Sequence, residues 1–287
     1  MLWLLAALGT SVTTCANAEL NRRYQHEGFR LNFWRTLLAA LLWLPLALPQ
    51  QWPTGIGFYA AAVFGGLAMI IGNVIQNHLS ARHNGRVAIL WMPLKALFVF
   101  VLWAAISPPA RQHIVDNPLT AIATLSCFAI MIMALNSMRA HDASWKVVKM
   151  VLPVAVVYAL SDIFARSVVP AEQLPNLIQV YFCVATAVSA GVSLLLFPLR
   201  PKKHLPWYSP SLLKVGALAA VQSTINQTCF FVALIYAPNP AYVSMIILLA
   251  PLWLLIYHRV RGIPDNTSPL AGLVMALAAG LLLGVTL

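Results

Sequence analysis

Ten apolar runs follow one another along this chain: about 1–18, 31–49, 57–80, 86–107, 117–138, 147–169, 176–199, 210–236, 240–259 and 267–287. Each is close to the roughly 20 residues a helix needs to cross the hydrocarbon core of a bilayer. Lipid offers no water to a backbone N–H or C=O, so such a segment satisfies them internally, as a helix. The connections, among them Ser107-Pro108-Pro109 and Ala237-Pro238-Asn239-Pro240, carry turn chemistry and are too short for a soluble domain. Hydrophobic residues make up 61% of the chain and charged residues 9%, against roughly 25% charged in a soluble domain. The fold class expected is therefore an all-α polytopic membrane protein with ten transmembrane helices.

Charge supports the count. Of 18 Lys and Arg, 15 fall in or beside the connections after runs 1, 3, 5, 7 and 9, including Arg30 and Arg35 where run 2 begins. Arg111 and Arg166 lie on the opposite side, and Lys95 lies inside run 4. By the positive-inside rule the side rich in basic residues is cytoplasmic, which places both termini outside. The net charge of +11 would suggest nucleic acid in a soluble protein. Here it sets orientation, so the expected partners are the lipid bilayer and a small-molecule substrate, with no nucleic acid. The first run is read as a retained helix rather than an export signal, because no basic residue precedes it and Arg22-Arg23 follow it.

Ten runs divide as five and five, and an odd number per half inverts the second copy in the membrane. Ile89-Leu90-Trp91-Met92-Pro93-Leu94 in run 4 resembles Ile247-Leu248-Leu249-Ala250-Pro251-Leu252 in run 9. Leu41-Leu42-Trp43-Leu44-Pro45-Leu46 in run 2 resembles Leu194-Leu195-Leu196-Phe197-Pro198-Leu199 in run 7. Each match recurs at the same ordinal position. The organisation expected is a first five-helix repeat over 1–138, a cytoplasmic linker at 139–146 and a second repeat over 147–287. Inverted repeats mark many secondary transporters, whose substrate sites lie near the midplane where the halves meet.

The chain as a whole resembles the drug/metabolite transporter superfamily, in its EamA-like ten-helix branch. The likeness rests on the five-plus-five division, the turn from Val232 through Pro240 into a helix bearing Pro251, and the terminal Gly272-to-Gly284 helix. It implies a carrier of small metabolites, often an exporter, with a central cavity between the halves, in a bacterial cell (inner) membrane. Many relatives place their termini in the cytoplasm, whereas the charges here argue the reverse. The first-half turn, Ser80 to Arg86, is also shorter and more basic than the usual pattern.

Ionisable groups inside a bilayer are costly and face a cavity or a partner. Lys95 follows Pro93 in run 4 and is a candidate for attracting a substrate carboxylate or phosphate; an ion pair or snorkelling to the surface is the alternative. Asp162 in run 6 is a candidate proton carrier, but Arg166 stands at i+4 on the same face and is the favoured partner. Lys95 across the interface is the other. Amides cluster in two corresponding runs: Asn73, Gln76 and Asn77 share a face of run 3, and Gln222, Ser223, Asn226 and Gln227 lie in run 8. They suit a cavity that recognises polar solutes, with Trp91 and Tyr158 as candidate aromatic walls; interhelical hydrogen bonding is the competing role.

No H-E-x-x-H, paired aspartates or nucleophile–base set occurs in the runs, and no Cys/His ligand spacing is present, so neither an enzyme, a metal site nor a cofactor is expected. The function expected is secondary transport of a small polar or amphiphilic metabolite by alternating access, in the export direction. A flippase for a lipid-linked or amphiphilic substrate and a non-transporting membrane subunit are the alternatives.

Overall fold

The computed structural model describes residues 1–82, 91–139, 145–199, 205–263 and 269–286, and among these no strand occurs. The helices are α1 (Leu2–Tyr24), α2 (Gly28–Ala47), α3 (Ile56–Arg82), α4 (Trp91–Ile106), α5 (Pro108–Asp116), α6 (Pro118–Arg139), α7 (Trp145–Val168), α8 (Leu174–Leu195), α9 (Pro210–Tyr236), α10 (Pro240–Ile247), α11 (Ala250–Val260) and α12 (Pro269–Thr286). Several starts are fixed by side chains that accept the N–H groups a first turn leaves orphaned. The Glu27 carboxylate accepts from the Arg30 N–H (3.3 Å), Ser209 Oγ from Leu212 (3.2 Å) and Asn239 Oδ1 from Ala241 (2.9 Å). Pro210 and Pro240 open their helices where a missing N–H costs nothing.

Each apolar run coincides with one helix or one broken pair. Four helical stretches, 56–79, 171–195, 210–236 and 240–260, are long and apolar enough to cross a membrane, and a fifth qualifies if α4 and α5 count together. The chain is thus a helical integral membrane protein. Helices α1 and α2 fall outside this set for a local reason: α1 carries Thr10, Ser11, Thr13, Thr14, Asn17 and Asn21, and α2 carries Arg30, Asn32 and Arg35. These groups are mostly turned inward.

Prolines stand at several of the places where regular helix stops. The stretch expected as a plain connection after run 4 forms α5, bent 102° from α4. Pro108 and Pro109 take its first positions, and Ser107 Oγ accepts from the Ala110 N–H at 3.4 Å. Run 9 breaks at Leu248-Leu249, just before Pro251 at the start of α11. Pro45 lies inside α2, whereas Pro198, its counterpart in the sequence match, falls past the end of α8 in a 3-10 turn at 197–199. Most of the expected linker 139–146, and most of the turn from Ser80 to Arg86, lie outside the described residues.

Contacts between the first five runs and the last five come in exchange-related pairs. α1 packs on α9 as α3 packs on α7, and α2 packs on α9 as α3 packs on α8. α4 packs on α7 as α1 packs on α10 and α11, while α2–α8, α4–α10 and α6–α12 pair like with like. Close approach at these crossings uses glycine, as membrane helices do in the absence of a hydrophobic force between them. A Cβ on Gly216 would lie 2.8 Å from Trp34 Cβ, and one on Gly72 would overlap the Tyr158 ring.

Two large apolar clusters form most of the interior, with a small third at Leu31, Leu212 and Val215. One joins Ala96, Phe100, Phe128, Met131, Ala155 and Met245; the other joins Trp43, Phe58, Tyr181, Phe182, Phe231 and Leu234. Outward stripes at helical spacing remain exposed, such as Leu218, Val221 and Ile225 on α9 and Leu273, Leu277 and Leu281 on α12. In water these would be a liability; against acyl chains they are the solvent-matched face.

Candidate functional site

Polar and apolar residues turned inward by α1, α2, α3, α4, α7, α8, α9 and α10 line a cavity of about 160 Å³. Of the residues the sequence singled out, Lys95, Asn73, Gln76, Tyr158, Asp162, Gln222, Ser223, Asn226 and Gln227 line it. Asn77 does not: it is buried beside the wall, and its carbonyl accepts from Asn21 Nδ2 at 2.6 Å. Arg166 does not either. Trp91 opens α4, but its side chain lies outside the described residues.

The favoured Asp162–Arg166 pair is corrected. Lys95 Nζ lies 2.6 Å from Asp162 Oδ2, with both side chains buried, and the ammonium also sits 4.6 Å from the centre of the Phe230 ring. Arg166, one turn on from Asp162, is drawn elsewhere. Its guanidinium donates to the carbonyls of Leu234, Ile235 (3.3 Å) and Ala237 (2.7 Å), and stacks over Trp103 at 5.0 Å. The last turn of α9 leaves carbonyls without intrahelical partners and with partial negative charge, which is what a guanidinium seeks.

The amides serve both roles weighed for them. The Tyr158 hydroxyl donates to Asn73 Oδ1 (3.1 Å), leaving Asn73 Nδ2 buried without a partner. Gln222 Nε2 donates to the Thr13 carbonyl (2.6 Å), and Asn226 Nδ2 reaches Thr13 Oγ1 (2.7 Å), Thr14 Oγ1 and the Thr10 carbonyl. These bonds fasten α9 to α1 while the same residues form wall. Gln227 Oε1 accepts from Trp43 Nε1 at 3.2 Å.

Among the wall residues that sequence reasoning missed are Thr10, Thr14 and Asn17 of α1, and Arg35 of α2. Thr10, Thr14, Asn17 and Asn21 follow i, i+4, i+7 and i+11, one face of a helix, which was a readable signal. Arg35 stands inside the run 31–49 and had been assigned to the basic end. In the fold it is only 7% exposed.

Both ends of the bundle are tied. At the end holding most basic residues, Glu19 accepts from Arg22 (2.6 and 2.7 Å) and lies 3.3 Å from His258 Nε2, joining α1 to α11. There His26 Nε2 also lies 3.2 Å from Ser211 Oγ, and Trp34 Nε1 donates to the Trp207 carbonyl at 3.0 Å. At the other end the Arg166 contacts join α7 to α9, and the Tyr236 hydroxyl donates to the Ala171 carbonyl at 3.2 Å.

No family model and no curated protein matches the chain. A solved structure described as "Crystal structure of protein" is similar over 99% of this chain and 94% of its own, with a TM-score of 0.62 at 17% identity. At that identity the likeness is one of fold.

Proposed function

We propose that the protein is a secondary transporter that moves a small polar or amphiphilic metabolite by alternating access, in the export direction, and that it belongs to the drug/metabolite transporter superfamily in its EamA-like branch. On this reading the ten spans are α1, α2, α3, α4, α6, α7, α8, α9, the broken pair α10–α11, and α12, in two inverted repeats. Exchange-related helix packing supports the repeats: every principal contact made by spans i and j′ is matched by one between j and i′. The same reading puts both termini outside a bacterial inner membrane, with the basic end in the cytoplasm.

One observation carries the proposal. The cavity is walled by both groups of five helices and holds an ion pair formed across them, Lys95 from the first and Asp162 from the second. Such a site can open to one face or the other as the groups rock, which is the geometry alternating access needs.

A thiol probe tests this without knowing the substrate. Ser223→Cys, placed in a chain whose four native cysteines are replaced by Ala, should react with a membrane-impermeant thiol reagent added to either face of oriented vesicles. Labelling from one face alone, under all conditions, would sink the alternating-access reading and leave a receptor or a static subunit.

A further inference from the structure

The cavity wall carries a charge that no carboxylate among the described residues answers. Arg35 is more than nine-tenths buried, lines the cavity, and its Nε has no hydrogen-bond partner. Among the described residues Asp162 is the carboxylate in the wall, and its charge is taken by Lys95 at 2.6 Å. Glu19 is occupied by Arg22 and His258, and Glu27 caps α2. The described wall therefore holds one cation in excess.

We propose that Arg35 anchors an oxyanion, so that the cavity takes a small organic anion: a carboxylate or a phosphate monoester on an apolar body. This rests on the transporter reading for its flux, but not for its binding. A guanidinium buried without a partner is among the most expensive arrangements in a fold, and an oxyanion removes the expense by accepting two parallel N–H bonds. A second orphaned donor stands in the same wall, Asn73 Nδ2. Tyr158 stands in the same wall, its hydroxyl donating to Asn73 Oδ1. Met69, Met92, Phe230 and Phe231 supply apolar wall. A cavity of about 160 Å³ is close to the roughly 150 Å³ that admits a benzene ring, so the ligand has on the order of six to eleven non-hydrogen atoms.

Benzoate, phenyl phosphate and benzyl alcohol are the probes, titrated calorimetrically into the purified full chain and then followed by counterflow in proteoliposomes. At least one anion should bind, and benzyl alcohol should not compete with it. Arg35→Gln should weaken the anion by about tenfold or more, with Arg35→Lys between. Benzoate alone binding assigns a carboxylate, and phenyl phosphate alone a phosphate ester. Unliganded Arg35→Met should unfold at the same temperature as the parent or higher, because an orphaned charge has been removed. Anion binding unchanged in Arg35→Gln, no anion binding at all, or a large loss of stability in Arg35→Met would each overturn the anchor. Arg35-dependent binding without any flux would retire the transporter reading and keep the anchor; flux undiminished in Arg35→Gln would do the opposite.

Discussion

Lys95 Nζ and Asp162 Oδ2 meet at 2.6 Å across the α4–α7 contact, from the first five and the last five apolar runs of the sequence. Both side chains are buried and both line the cavity. The pair is therefore both a structural tie and a part of the wall, and its two functions separate experimentally.

Lys95→Met alone strands a buried carboxylate and should cost about 3–5 kcal/mol, whereas Lys95→Met with Asp162→Asn should recover most of that loss. Unfolding in detergent, followed for both singles and the double, gives the coupling. Additive losses would mean that the two residues do not act on each other.

Gly72 exists for Tyr158. Gly72→Ala places a methyl group in the Tyr158 ring and should cost about 1–3 kcal/mol as overpacking. Gly191 sits in α8 with nothing within 4 Å of an added Cβ, so Gly191→Ala should instead gain about 0.5–1 kcal/mol. Melting temperatures of the two variants should move in opposite directions; a shared shift would discredit the packing argument.

Arg166 closes the last turn of α9, and Arg166→Gln should cost about 1–3 kcal/mol by leaving carbonyls unsatisfied. The loss should be local. Hydrogen exchange ought to quicken near residues 230–240 and stay unchanged in α12, and uniform quickening would count against a local cap.

His26, in the turn between α1 and α2, titrates below its ordinary 6.5. Burial is the main cause and the nearby Arg30 adds to it, while the bond to Ser211 opposes them. Its folded value is depressed, so the fold binds fewer protons than the unfolded chain. The stability His26 contributes is present above 6.5 and is lost as pH falls from there through the folded value. Thermal scans at a series of pH values should show this slope in the parent and not in His26→Gln; identical slopes would clear His26 of the effect.

A reporter fused after Leu287 should be active outside the cell and silent in the cytoplasm, following the charge bias. The reverse pattern would defeat the orientation proposed here.

Where the long unbroken helices lie was legible from length and apolarity, as α9 covers 210–236, whereas α5 and the break between α10 and α11 were not. The partner of Asp162 was not. Spacing makes Arg166 look adjacent, but its long side chain is captured by carbonyls of α9 that only tertiary packing brings near. Arg35 was obscured for a related reason. A basic residue one turn into a span normally reaches the headgroups, and here α8 and α9 pack over α2 and close that route. The polar face of α1 went unread because threonine and asparagine weigh little in a hydropathy sum, although their spacing was plain.

The division of Lys95 and Asp162 between the two groups has a consequence for biogenesis. A ribosome delivers Arg35 and Lys95 to the bilayer before the helix carrying Asp162 has been made. The nascent first half is consequently a cationic intermediate whose insertion is completed only by its later sibling, so an arrested or truncated chain would present cell quality control with two unneutralised basic groups at membrane depth.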